Sequence, residues 1–410
     1  MKYFKNAELV RLYSVSDKSV RNWIQAAESG KVDLELYVDG DKTYIADTVR
    51  NETLLEEFTS RAKKYRNSQS HRKLTALPGF YQIFTDKQII DIVTSLDVQR
   101  EIPPQYPYHG PGAVSWSSYL HKLYNARAKN ILTNTIDLVN LATPYIHDVM
   151  GDHKKLNVVD LGAGNGLAAK DLISNLLTSG KLHTYFAVDN SPGLLGITGH
   201  NMQTWFKGQV TAQTLIKDLT YERVIEASYG TKDGETGNIF LFLGGLINNF
   251  REPLQILHTI HDSMTSDDIL LTSLKLDTKT SRRFFDVSID STDKTKLPDH
   301  DRIVLDLLGI EPDIYEIEQF FDRNEMKRQV RVKLKVAVTL YIKNNLIDKV
   351  LRFEKGESIL LWRSWHYTAE SLIDQFKQAG FVTMQASKSK DEEAVLLISK
   401  VQAVDRPKLQ

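Results

Sequence analysis

Val158-Val159-Asp160-Leu161-Gly162-Ala163-Gly164-Asn165-Gly166 runs from an apolar strand straight into a glycine-rich turn. A side chain at such glycines would hold a ligand off the main chain, so a missing Cβ permits close contact. Free amides opening the next helix then favour an anionic group such as a carboxylate. The following apolar run, Thr184-Tyr185-Phe186-Ala187-Val188-Asp189-Asn190-Ser191-Pro192, carries an acid at its strand end. A carboxylate there can accept hydrogen bonds from both ribose hydroxyls of a nucleoside. Asp160, Gly162, Gly164, Gly166, Asp189 and Asn190 are the candidate cofactor contacts. A nicotinamide dinucleotide and S-adenosylmethionine both fit this logic. The dinucleotide spacing would need glycine at position 167, where the chain has Leu167.

Working outward, Leu156–Gly162, Thr184–Asn190, Asn238–Gly244 and Asp268–Leu274 read as buried strands. Helices are predicted over Leu167–Leu177, from Pro192 and after Pro253. Alternating strands and helices with nearly continuous apolar strands imply a parallel sheet covered on both faces. Upstream, Glu101–Trp116 is dense in Pro, Gly and aromatics, and a long helix is predicted over about Tyr119–Thr143. Downstream, Glu316–Gln329 reads as a helix or helical turn. Arg328–Ile342 and Asp348–Trp362 read as long antiparallel strands. A helix over Ala369–Ala379 stops at Gly380, and Ala394–Ser399 closes the chain as a strand. These features divide the sequence into residues 1–73, 74–275 and 276–402.

The 410 residues carry 52 Lys+Arg against 52 Asp+Glu, so no global charge drives binding to nucleic acid or membrane. The absence of cysteine excludes disulfides, thiolate zinc sites and a thiol nucleophile. His121, His147, His153 and His183 have no metal-ligand spacing, and no metal is expected. The first residues lack a signal-peptide pattern, and no run reaches the roughly 18 apolar residues of a membrane helix. A cytoplasmic location without a membrane partner is the expectation.

Asp160–Gly166 resembles the first motif of class I methyltransferases, and Ala187–Pro192 resembles their second. The resemblance implies an α/β, Rossmann-like sheet with S-adenosyl-L-methionine as cofactor. It places Asp160 beneath the methionine end and Asp189 on the ribose. Asp218-Leu219 matches the acidic position near the adenine edge, with a plain surface loop as the other reading.

Four more segments narrow the family. They are Arg100–Ala113 with the following Tyr124-Asn125-Ala126-Arg127, Phe240–Phe250, Phe353–Thr368, and the helix ending Ala379-Gly380-Phe381. Together they resemble the histidine-specific methyltransferase family, which includes the enzyme making trimethylhistidine for ergothioneine. The resemblance spans about Thr75 to Lys400. It implies an amino acid held between the sheet and a mixed α+β substrate-binding or lid domain, and methylated on its α-amine. On this basis Tyr108 lies near the reacting amine, Tyr124 and Arg127 are substrate contacts, Asn249 holds the amino group and Ser364 touches the imidazole position. Tyr108 and Asn249 are the candidate catalytic pair, orienting the amine without a strong base. Family members specific for histidine carry a glutamate two residues before that serine, whereas this chain has Trp362. Losing that carboxylate removes roughly 1–3 kcal/mol of selectivity for imidazole. An indole favours aromatic or apolar groups, so the expected substrate is an amine or amino acid other than histidine. Arg363 and His366 in the same loop suggest an acidic or larger ligand, and Gly245-Leu246 departs from the family's small hydroxyl residues. Core packing is the other reading of Trp362 and Trp365.

Asn6–Ala46 resembles a winged helix-turn-helix of the excisionase and MerR type. The residues that carry this are Leu9–Tyr13, Ser16–Ile24 and the Asp39-Gly40 hairpin. It implies DNA as a partner through Lys18, Ser19, Arg21 and Asn22, in a homodimer because one such module binds weakly. A small protein-interaction module is the other reading. The alternative function for the whole chain is a DNA-binding regulator whose methyltransferase-like domain senses a ligand without chemistry.

Overall fold

The computed structural model describes residues 3–13, 15–67, 71–126, 128–227, 235–278 and 297–402. The chain forms two compact units, residues 1–72 with 335–338, and residues 73–334 with 339–410.

In the first unit β1 (Tyr3–Phe4), α1 (Asn6–Tyr13), α2 (Asp17–Glu28), β2 (Leu36–Asp39), β3 (Lys42–Ala46) and α3 (Val49–Asn67) follow in order. The strands make an antiparallel sheet in the order β1-β3-β2. Ser16 caps α2, its Oγ accepting from the Ser19 amide at 3.1 Å. Leu9, Val20, Ile24 and Leu55 share one core. Leu55 brings α3 onto this core. The helix starts at Val49, and the buried Asn51 side chain bonds Glu35 N and O and Ala46 O.

Strand β4 (His71–Thr75) spans the division, and the second unit continues with α4 (Pro78–Ile83), α5 (Asp86–Gln99), α6 (Pro111–Tyr124) and α7 (Ile131–Val149). Then come β5 (Lys155–Leu161), α8 (Lys170–Thr178), β6 (Leu182–Asp189), α9 (Pro192–Phe206), β7 (Ala212–Ile216), β8 (Thr236–Phe242), α10 (Pro253–His261) and β9 (Ile269–Lys275). The remainder is α11 (Asp299–Leu307), β10 (Tyr315–Asp322), β11 (Lys327–Leu334), β12 (Ala337–Lys343), β13 (Asp348–Phe353), β14 (Ser358–Trp365), α12 (Ala369–Gln378), β15 (Phe381–Lys388) and β16 (Ala394–Val401).

Seven strands form the central sheet in the order β15-β16-β9-β8-β5-β6-β7. Strands β5 to β9 pair in parallel, whereas β16 and β15 add antiparallel. Side-chain alternation on β5 sends Val158 into a core with α7, α8 and α9, and Val159 into the opposite core with α10 and α12. Both faces are therefore covered, as the apolar runs predict. The chain leaves β5 toward β6 and β7 on one side, then returns to β8 on the other, which makes a topological switch point at the carboxyl end of β5.

Three expectations change. The single long helix over Tyr119–Thr143 is two helices. Asn130 caps α7 in a capping box with Thr133, and its amide also donates to Leu123 O at 2.9 Å. Glu316–Gln329 is the β10–β11 hairpin rather than a helix. Its Glu- and Gln-rich composition favours helix locally, but pairs such as Ile317 with Val332 override that preference. The two long strands each break. Lys335 and Val336 separate β11 from β12, and Gly356, with φ of 89°, turns β13 into β14.

Candidate active site

After β5 the chain turns through Gly162, Gly164 and Gly166, with φ of 71°, 59° and 79°. The turn is pinned to the neighbouring strand by Gly162 N and Ala163 N, which both donate to Val188 O. The three glycines serve different ends. A Cβ on Gly166 would lie 2.7 Å from Met202 Cε, so this glycine lets the turn pack on α9. One on Gly162 would lie 2.3 Å from Leu246 Cδ2. At Gly164 the nearest atoms to a Cβ would be Trp116 Nε1 at 3.7 Å and Leu120 Cδ1 at 3.8 Å, leaving the backbone open to a ligand.

Asp189, at the end of β6, accepts from Gly164 N at 3.2 Å and Ser191 N at 2.9 Å. Burial raises its pKa to about 6 against the opposing pull of those amides. Gly162, Gly164, Asp189, Asn190, Asp218 and Leu219 line one cavity of about 270 Å³ at the carboxyl ends of the parallel strands. Asp160 lies beneath it, fully covered, and accepts from Tyr185 Oη at 2.8 Å. Burial lifts its pKa to about 7, and the Asp189 charge adds to the rise.

Tyr108 and Asn249 also line this cavity. A 3-10 turn over Tyr106–Tyr108 carries the tyrosine, and Ser191 Oγ donates to its carbonyl at 2.7 Å. The next residue helps, with His109 Nε2 3.1 Å from Asn190 O. Burial raises the Tyr108 pKa well above the usual phenol, with Asp301 and then Asp189 adding to it. Asn249 ends a 3-10 turn entered through Gly244 and Gly245, both with left-handed φ. Trp365 Nε1 donates to Phe250 O at 2.8 Å and so ties β14 to that turn.

Other sequence-predicted residues lie elsewhere. Tyr124 ends α6 with 40% of its surface exposed and does not line the cavity. Trp362 and Ser364 sit on β14 outside the lining, opposite Val330 and Arg328, and the Arg328 guanidinium is 6.0 Å from the Trp362 ring. Arg127 lies outside the described residues. Arg363 is not a free cation for an acidic ligand, because it forms a buried ion pair with Glu101. His366 Nδ1 lies 3.3 Å from Asp277 Oδ1. Among the described residues no cluster of metal-ligating side chains occurs, and no helix is long and apolar enough to cross a membrane.

Trp116, Tyr119, Leu120 and Leu123 line the cavity from α6 and were not anticipated. They recur at i, i+3, i+4 and i+7, a stripe legible in the sequence once the helix is started at Pro111.

The donor set fits a sulfonium nucleoside. Gly164 leaves main chain accessible, Asp189 offers a buried carboxylate to ribose hydroxyls, and Leu219 with Leu194 supplies apolar wall. Residues 85–400 match the family described as histidine-specific methyltransferase, SAM-dependent. Similar solved structures include a S-adenosylmethionine-dependent methyltransferase from Clostridium acetobutylicum ATCC 824, 9% identical over 70% of this chain and 99% of that one, with TM-score 0.38. Magnesium protoporphyrin IX methyltransferase from Synechocystis PCC 6803 is 10% identical over 77% of this chain and 100% of that one, with TM-score 0.40. The 1,6-didemethyltoxoflavin-N1-methyltransferase of Burkholderia thailandensis is 10% identical over 72% and 89%, with TM-score 0.35. No curated protein sequence matches.

Proposed function

The chain belongs to the histidine-specific methyltransferase family and is an S-adenosylmethionine-dependent methyltransferase, and from that premise we propose that its acceptor is the amine of an amino acid or related small molecule other than histidine. One observation carries this reading: Tyr108 and Asn249 converge on the cavity that also contains the glycine turn and Asp189. The choice against histidine rests on the sequence alone, which has Trp362 where the resemblance implies a carboxylate facing imidazole, since the Trp362 side chain does not line the cavity.

When bound, the sulfonium supplies a methyl group already activated for transfer. The residues then have to bind, orient and exclude water. In this reading Asp189 takes the ribose hydroxyls, the main chain at Gly162–Gly164 takes the amino-acid end, and Asp218-Leu219 borders the adenine. Asp160 supports the turn from below through its hydrogen bond to Tyr185. The hydroxyl of Tyr108 and the side-chain amide of Asn249 orient the amine nitrogen. Tyr108 keeps its proton, since burial and two carboxylates raise its pKa, so it positions the amine rather than acting as a base. The test is transfer of labelled methyl to a panel of amino acids and amines that includes histidine. A methylated amine on an acceptor other than histidine is expected. Histidine as the preferred acceptor, or label on oxygen or carbon, would overturn the reading.

For the N-terminal unit we propose a winged helix-turn-helix that contacts DNA as a homodimer. The supporting observation is that Lys18, Arg21 and Asn22 lie exposed on α2. Gel-shift assays of the full chain against Arg21→Glu check this, with loss of DNA retention in the variant expected. Failure of the native chain to retain any DNA would refute it.

A further inference from the structure

The loop that leaves β6 serves two neighbours through one residue. Ser191 is fully buried and follows Asp189 by two positions. Its amide donates to Asp189 Oδ1 at 2.9 Å, while Gly164 N donates to Oδ2 at 3.2 Å. Its hydroxyl donates to the Tyr108 carbonyl at 2.7 Å and accepts from Leu194 N at 3.2 Å, which caps α9. A second strut lies beside it, since His109 Nε2 is 3.1 Å from Asn190 O.

These bonds make a continuous path from the glycine turn to Tyr108. It runs from Gly164 N through the Asp189 carboxylate to the Ser191 amide, and from the Ser191 hydroxyl to the Tyr108 carbonyl. Packing leaves little slack around it. A Cβ on Gly193 would come 3.0 Å from Ala113 Cβ, and one on Gly112 would come 1.8 Å from Pro107 O. The first turns of α9 and α6 and the backbone just before Tyr108 are therefore in close contact, so a shift of one is passed to the next. Capping alone needs only the acceptor side of the hydroxyl. Its proton goes instead to a residue 83 positions away, on the other wall of the cavity.

We propose that Ser191 is a positioning residue that couples the ribose site to the acceptor site: a nucleoside seated on Asp189 fixes the loop, and the Ser191 hydroxyl carries that order to the main chain of Tyr108. The inference rests on the roles given above to Asp189 and Tyr108 and adds the link between them. Tyr108 is better held for an acceptor once the cofactor is in place. Coupling carried by one hydrogen bond amounts to about fivefold. By linkage it acts equally in both directions.

Amide hydrogen exchange of the full chain, with and without saturating S-adenosylhomocysteine, tests the link and needs no acceptor. Peptides spanning 160–166 report the cofactor site, and those spanning 105–113 report the Tyr108 turn. In the wild type both should exchange more slowly with the nucleoside bound, the second by about fivefold. Ser191→Ala keeps the main-chain amide on Asp189 but loses the hydroxyl. At matched occupancy it should keep the protection at 160–166 and lose that at 105–113. Taking the ratio with and without ligand inside each variant cancels a general loss of stability from the missing cap. Thr204→Gly, an exposed change that weakens α9 away from the loop, should keep both protections. Undiminished protection of 105–113 in Ser191→Ala, or its loss in Thr204→Gly, would overturn the coupling. If Ser191→Ala does not fold, Ser191→Cys decides, because a thiol is a near-isostere and a weak donor: reduced protection supports the link, and full protection refutes it. Protection of 160–166 alone in the wild type would defeat only the coupling, whereas protection of neither peptide would defeat the cofactor assignment as well.

Discussion

At the scale of single residues, the site depends on carboxylates kept partly protonated by burial. Asp189 and Asp160 are raised to about 6 and about 7, far above the roughly 4 of an unfolded aspartate. Ribose hydroxyls and a sulfonium both favour the ionised forms, so binding S-adenosylmethionine must release protons. Affinity is therefore expected to rise from about pH 5 to about pH 8 and then level off, which calorimetry in buffers of different ionisation enthalpy would reveal. The same shifts act on stability with the opposite trend. A carboxyl raised on folding stabilises the folded state below its unfolded pKa, and that contribution is lost as pH climbs through the folded value. Asp160→Asn should consequently match the wild type below about pH 4 and exceed it at about pH 8, by on the order of 1–3 kcal/mol in denaturant titrations. Gly162→Ala should do the reverse of stabilise. Its φ of 71° and the 2.3 Å approach to Leu246 Cδ2 strain the turn, with a cost of roughly 1–3 kcal/mol and weakened cofactor binding.

Individual elements deliver these residues, and capping and tethering decide where they stop. Asn130 starts α7 and binds the end of α6, so Asn130→Ala should lower stability by about 1 kcal/mol in a denaturation midpoint. Trp365 reaches from β14 to the Phe250 carbonyl beside Asn249. Trp365→Phe should raise the acceptor KM about fivefold through loss of one hydrogen bond, with S-adenosylhomocysteine affinity unchanged. Legibility differed sharply among elements. The strand at Leu156–Gly162 and its turn could be read because buried β-runs and glycine stereochemistry are local signals. The β10–β11 hairpin could not, because only cross-strand pairing overrides its helix-favouring composition. Neither could the start of α6, where Pro111 opens the helix inside a stretch whose composition suggests an irregular loop.

For the molecule as a whole, strand order places the chemistry. The switch at β5 splays the chain apart and brings the ends of β5, β6, β7 and β8 to one cavity. A ligand bound there stabilises the larger unit by mass action, about 2.7 kcal/mol at a hundredfold excess over Kd. Melting of the full chain should accordingly shift upward with the logarithm of S-adenosylhomocysteine concentration. Absence of any shift at saturating concentrations would contradict the cofactor site.

From the sequence alone came the candidate cofactor residues. Gly162, Gly164 and Asp189 belong to two strand-ends whose turn chemistry and spacing are written within a few residues of each other. The folded molecule alone decided which other side chains share their cavity. Tyr108 and Trp116 are far from Asn249 along the chain and share a cavity with it only in the folded molecule, while Trp362 and Ser364 lie on β14 outside its lining. Local backbone preferences act within a turn or two of chain, but which side chains share a cavity depends on long-range packing, and no periodicity in the sequence records that.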